Sequence, residues 1–124
     1  MIVLYVENDL DDYDLFSYII HGVDNSIRLI NVRDGQEALE FLRNAVILPN
    51  IIFLDINMPV MDGVTCLRHI KANRKLKAIP VVIYSTDISP EAAKLCNQLG
   101  VLACLQKPVS TEEGIAQIST ILKK

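Results

Sequence analysis

Five apolar runs punctuate the chain, at about residues 2 to 6, 27 to 32, 50 to 54, 79 to 84 and 101 to 106, and each is short enough to read as a buried strand. Between them apolar residues recur at helical spacing. The first helix begins after Asn8 or Asp9, with Asp11 and Asp12 in its first turn, where negative charge suits the helix dipole, and turns Phe16, Ile19, Ile20 and Val23 inward. The second opens at Asp34-x-x-Glu37, a capping-box pattern, and buries Ala38, Leu39, Phe41 and Leu42. The third starts near Asp62-Gly63 and carries Val64, Leu67 and Ile70 inward. The fourth has Ser89 as cap and Pro90 at its first position and ends at Gly100; the fifth runs from Ser110-x-x-Glu113 to Leu122.

This strict alternation predicts a parallel sheet with helices on both faces and right-handed crossovers. In such sheets ligands gather outside the carboxyl ends of the strands. Four of the five runs end there on polar chemistry: Glu7, Asn8 and Asp9 after the first, Asp55 after the third, Ser85 after the fourth and Lys107 after the fifth. Asp55 is followed at once by Asn57-Met58-Pro59-x-Met61-Asp62-Gly63, a turn that leaves its carboxylate at the sheet edge and makes it the candidate reactive group.

The acidic cluster, the Asp-x-Asn-Met-Pro-x-Met-Asp-Gly segment, the hydroxyl residue and Lys107-Pro108 together resemble the receiver domains of bacterial two-component response regulators, from Met1 to Lys124. The resemblance implies a flavodoxin-like α/β fold, (βα)5, with a doubly wound five-stranded sheet of order 2-1-3-4-5. It implies Asp55 as phosphoacceptor, Lys107 as partner of the phosphoryl oxygens and Ser85 as the hydroxyl that binds the phosphoryl group on switching. It also implies Mg²⁺ held by Glu7, Asn8, Asp55 and the Asn57 backbone carbonyl. A carboxylate accepts a phosphoryl group only where a cation and a fixed positive charge offset the repulsion of two anions, and oxygen ligands select Mg²⁺. Asn57 and Asp87 match positions that flank the attacking water, and Pro108 matches the residue behind a cis peptide that aims the lysine.

Two positions depart from the family pattern. Asn8 stands where Asp is usual, so its amide contributes no charge and metal affinity should fall unless Asp9, one residue on, compensates. Cys104 stands where the family has the Tyr or Phe whose rotamer follows the hydroxyl residue, which removes the aromatic lever. Tyr84 adjoins Ser85 but belongs to the opposite strand face and reads as core.

Composition fits one domain. At 124 residues the chain buries a single core, and 51% hydrophobic residues suit strands buried on both faces. No apolar stretch reaches the ~18 residues of a membrane span, and the start lacks a signal-peptide pattern, so the expectation is a cytoplasmic, stand-alone receiver without an output domain and without membrane contact. A net charge of −3 argues against direct nucleic-acid binding. Arg68, Lys71, Arg74, Lys75 and Lys77 gather near one helix end, read as dipole complement and solubility, or as a partner contact. Cys66, Cys96 and Cys104 lack metal-ligand spacing and read as packing, and His21 and His69 as ordinary boundary residues.

Three functions compete. The first is a phosphoacceptor module that takes phosphate from a histidine kinase or phosphotransfer protein and controls a downstream protein through its helix-4, strand-5, helix-5 face, with a homodimer through that face as one expected assembly. It is not an enzyme beyond catalysing its own phosphoryl acceptance and acyl-phosphate hydrolysis. The alternative is a pseudo-receiver that binds its partner without phosphate. The third, an enzyme on a related architecture, lacks support: no second aspartate stands two residues beyond Asp55 and no glycine-rich phosphate loop follows a strand. The segment Glu7 to Asp12 is similar to stand-alone receivers paired with phytochrome-type kinases.

Overall fold

The computed structural model describes residues 1–58 and 60–122, so Pro59 of the Asp55 motif and the terminal Lys123 and Lys124 lie outside the described residues. Strands and helices alternate as β1 (Ile2–Val6), α1 (Leu10–Val23), β2 (Arg28–Val32), α2 (Gly35–Asn44), β3 (Ile51–Leu54), α3 (Gly63–Ala72), β4 (Val81–Ser85), α4 (Pro90–Gln98), β5 (Ala103–Gln106) and α5 (Thr111–Leu122). The five strands form one parallel sheet of order β2-β1-β3-β4-β5, as expected.

Period-two alternation sends each strand's side chains to two cores. Leu4, Val6, Ile52, Leu54, Val81 and Ile83 face one way, onto Ala38, Leu39 and Leu42 of α2, Leu67 and Ile70 of α3 and Cys96 of α4. Val3, Tyr5, Phe53, Val82 and Tyr84 face the other, onto Phe16, Ile19 and Ile20 of α1 and Ile118 of α5. Tyr84 is therefore core, edge-on to Phe53 and Phe16 at centroid distances of 5.7 and 5.3 Å. Cys66 and Cys96 are buried and Cys104 half-buried, all as free thiols; burial pushes the Cys66 thiol up to about 12, which suits packing and not reactivity. His21 bonds its own neighbourhood, through Nε2 to the Ile27 carbonyl oxygen at 3.1 Å, and His69 is exposed.

Helix starts follow the caps read from the sequence. Asp9, Asp34, Asp62 and Ser89 accept the backbone N–H of Asp12, Glu37, Thr65 and Ala92, and Ser110 accepts that of Glu113. At α2 the box is offset by one: Glu37 accepts from Arg33 N–H, at 3.1 Å, and not from the cap residue. The expected fifth strand starts two residues late. Gly100, at φ +86°, and Val101, whose N–H donates to the Cys96 carbonyl, are spent on closing α4. One expectation is overturned: among the described residues no peptide is cis, so Lys107-Pro108 is trans. The backbone at Lys107 is held by its own N–H, which donates to the Ser85 carbonyl at 2.9 Å.

Candidate functional site

The carboxyl ends of β1, β3, β4 and β5 bring Glu7, Asp55, Ser85 and Lys107 together. Asp55, 6% exposed, leaves β3 with its N–H on the Val6 carbonyl. Its Oδ1 accepts from the Asn57 N–H at 2.9 Å and from the Ser85 hydroxyl at 2.8 Å, and its Oδ2 accepts from Lys107 Nζ at 3.0 Å. Glu7, 3% exposed, continues β1 by donating its N–H to Val32. Its Oε2 accepts the N–H groups of Asn8 and Asp9, while Oε1 accepts from Lys107.

The turn after Asp55 is held by close backbone approach. Gly63, the first residue of α3, donates its N–H to the Ile56 carbonyl, and a Cβ there would lie 2.3 Å from the Asp55 carbonyl oxygen. Val60, at φ 67°, takes the left-handed conformation within the same turn. The Asn57 side-chain amide bridges to the Ser85 hydroxyl at 3.4 Å and to the Asp87 carbonyl at 3.3 Å, which joins the β3 loop to the β4 loop.

Charge is distributed unequally. Burial pushes the Glu7 carboxyl up, and although Lys107 draws it back the net shift is upward. Burial works the same way on Asp55, but Lys107, the Asn57 N–H and the Ser85 hydroxyl outweigh it and hold that carboxyl below its ordinary range. Lys107 is desolvated too, yet Asp12, Glu7 and Asp55 keep it firmly protonated. Of the two carboxyls, Asp55 is thus the one more firmly held as an anion.

A hard cation fits the donors present. Glu7, Asp55, Asn57 and Asn8 line one open hollow of about 250 Å³, with Asn8 on its exposed rim. Two carboxylates with neutral oxygens beside them suit an ion that keeps several of its waters. No group of three His, Cys, Asp or Glu among the described residues forms an all-protein cage. Asp9, which also lines the hollow, gives one carboxylate oxygen, Oδ1, to the α1 cap. Cys104 is not part of the hollow; it packs against the α2–α4 core.

Asp12 was not singled out from the sequence, yet its Oδ2 accepts from Lys107 Nζ at 2.8 Å. Its position, in the first turn of α1 and three residues past the cap, is the only sequence signal that could have found it. Tyr5 also reaches this region: its hydroxyl, wholly buried and without a hydrogen-bond partner, lines a cavity of about 200 Å³ shared with Asp12 and Lys107.

Known proteins share this fold. A family model described as the response regulator receiver domain matches residues 3–119. Response regulator Rcp1 of Synechocystis is 33% identical over 111 residues, which cover 86% of this chain and 76% of that protein. The crystal structure of the Mn²⁺-bound form of Rcp1 superposes with a TM-score of 0.85 at 30% identity, covering 97% of this chain and 90% of that one. The phosphorylated cyanobacterial phytochrome response regulator RcpA superposes with a TM-score of 0.88 at 29% identity, covering 97% and 89%. With the family's strand order and its motif residues at the matching strand ends, the chain belongs to the response regulator receiver domains of two-component signalling.

Proposed function

We propose that this receiver takes a phosphoryl group onto Asp55 from a phosphohistidine of a histidine kinase or phosphotransfer protein and passes the signal to a downstream protein. The observation that carries this reading is the Asp55 carboxylate itself, ionised and held between Lys107, the Ser85 hydroxyl and the Asn57 N–H. In the transfer the P–N bond to imidazole breaks, a P–O bond to the Asp55 carboxylate forms, and the imidazole keeps the electron pair. Lys107 stays within reach of the incoming oxygens, and Ser85 is already at the carboxylate. Glu7, Asp55, the Asn57 carbonyl and the Asn8 amide would hold Mg²⁺, which offsets the charge of the phosphoryl oxygens. Receiver domains are generally signalling modules and not enzymes in the turnover sense. Among the described residues no helix is long and apolar enough to cross a membrane, and a cytoplasmic site of action belongs to this proposal.

Mass spectrometry after acetyl phosphate and Mg²⁺ tests the reading: a single phosphoryl adduct is expected. Absence of any adduct would favour the pseudo-receiver, the reading that Asn8 and Cys104 motivate. Turnover of an added substrate would favour an enzyme.

Three further results are expected. Asn8→Asp adds a carboxylate at a hard-cation site and should tighten Mg²⁺ binding in calorimetry; equal or weaker binding means another group already supplies that charge. The adduct should not be long-lived, because Asn57 and Asp87 are exposed and leave water access to Asp55. Asn57→Met or Asp87→Tyr should slow loss of label, and no slowing in either variant removes that role.

The third concerns switching. Ser85 and the Asn57 bridge tie the Asp55 site directly to the β4–α4 loop, whereas half-buried Cys104 is too small to fill and vacate an aromatic pocket. Beryllofluoride should therefore shift amide signals most at residues 85 to 89 and near Cys104, on the α4, β5, α5 face. Ser85→Ala should flatten this response and Cys104→Tyr should enlarge it. An undiminished response in Ser85→Ala would sink the coupling.

A further inference from the structure

Asp12 makes a contact that its place on the helix does not require. A carboxylate in the first turn of α1 complements the helix dipole wherever its side chain points, and Asp11, its neighbour, does so while exposed. Asp12 instead meets Lys107, 95 residues away in sequence. The Lys107 ammonium has three protons and three carboxylate acceptors, on Glu7, Asp12 and Asp55. Two of those three are the carboxylates that a cation needs. Asp12, whose side chain is 39% exposed against 3% and 8% for the other two, is the one that can hold the lysine without giving up a metal position.

We propose that Asp12 is a positioning residue of this site that replaces, from α1, the negative charge missing at Asn8. It shares Lys107 with Glu7 and Asp55, so that the ammonium's charge is offset in part from α1 and weighs less on the two carboxylates that would hold Mg²⁺. Three carboxylates then face one ammonium, the same balance as two acidic residues after β1 plus Asp55 facing the lysine. Asp9 makes no ion pair with Lys107, and its Oδ1 accepts the Asp12 N–H at 3.0 Å. That same cap fixes where Asp12 stands, so the charge is held by the helix start and not by a mobile loop.

The inference rests on the receiver reading, and Mg²⁺ calorimetry separates the two. Wild type should bind Mg²⁺; if it does not, both the metal site and the role of Asp12 fall. Asp12→Asn should bind Mg²⁺ about tenfold more weakly, a loss of the size expected when one half-exposed negative charge is removed from the lining of the same hollow. The double variant Asn8→Asp/Asp12→Asn should return to near wild-type affinity, because the charge comes back at the position facing the cation. A purely structural role for Asp12 would not be rescued from Asn8. Unchanged affinity in Asp12→Asn, or a loss that Asn8→Asp leaves uncorrected while thermal melting shows a folded protein, overturns the proposal and leaves the receiver reading intact.

Discussion

Asp55→Asn is expected to abolish labelling by acetyl phosphate, leaving no adduct by mass spectrometry at a concentration that labels wild type fully. The amide preserves shape, and its single carbonyl oxygen can keep the Ser85 and Asn57 donors while its NH2 group, which accepts nothing, faces Lys107; the fold should hold, but the anionic nucleophile is gone. No second carboxylate is equivalent. Glu7 is buried with its carboxyl pushed up and its Oε2 occupied by two backbone N–H groups, and Asp12 lacks the Ser85 and Asn57 donors. Lys107→Ala should leave Asp55 reactive but about a hundredfold slower, the usual effect of removing one fixed donor from developing charge. Labelling of Asp55→Asn at the wild-type rate would mean the nucleophile lies elsewhere.

How far the sequence carried this reading depends on whether a residue acts through its own chain neighbours or through distant ones. Apolar runs, caps and strand-end polar residues are local signals, and they placed all five strands, all five helices and the meeting of Glu7, Asp55, Ser85 and Lys107. Tyr84 could be assigned to the core because side-chain direction along a strand alternates strictly. Asp12 could not be found this way. Its local environment already explains an acidic residue in the first turn, and only tertiary packing reveals that the turn opens onto Lys107. The offset box at Glu37 and the late start of β5 have the same origin: one backbone donor or one helix closure shifts a boundary without altering the pattern. Lys107-Pro108 is trans, and the lysine's contacts, its N–H on the Ser85 carbonyl and its ammonium on three carboxylates, are ones that a proline does not report.

Gly63→Ala should be the most damaging single-methyl change in the molecule. By intrinsic propensity it ought to help, since Ala is favoured over Gly within a helix by about 1 kcal/mol. Packing decides otherwise. The added Cβ would stand 2.3 Å from the Asp55 carbonyl oxygen and 2.7 Å from Ile56 Cα, both backbone atoms that cannot rotate away. Relieving the clash means moving α3 off the β3 loop, and overpacking of this kind costs about 1–3 kcal/mol or more. At about 2 cal/mol/K per residue of unfolding entropy, a net loss near 2 kcal/mol lowers Tm on the order of 10 °C in a chain of this size. The same displacement shifts Ile56 and Asn57, so Mg²⁺ binding and labelling should weaken together with stability. Gly100→Ala is the matched control: at φ +86° it strains the backbone, by roughly 1 kcal/mol, but its Cβ meets nothing within 4 Å and it closes α4 away from the acidic hollow. It should melt earlier while binding Mg²⁺ as wild type does. A Gly63→Ala protein that melts with wild type would show that α3 slides freely on the β3 loop, and the backbone contact would then have no part in holding Asp55 in place.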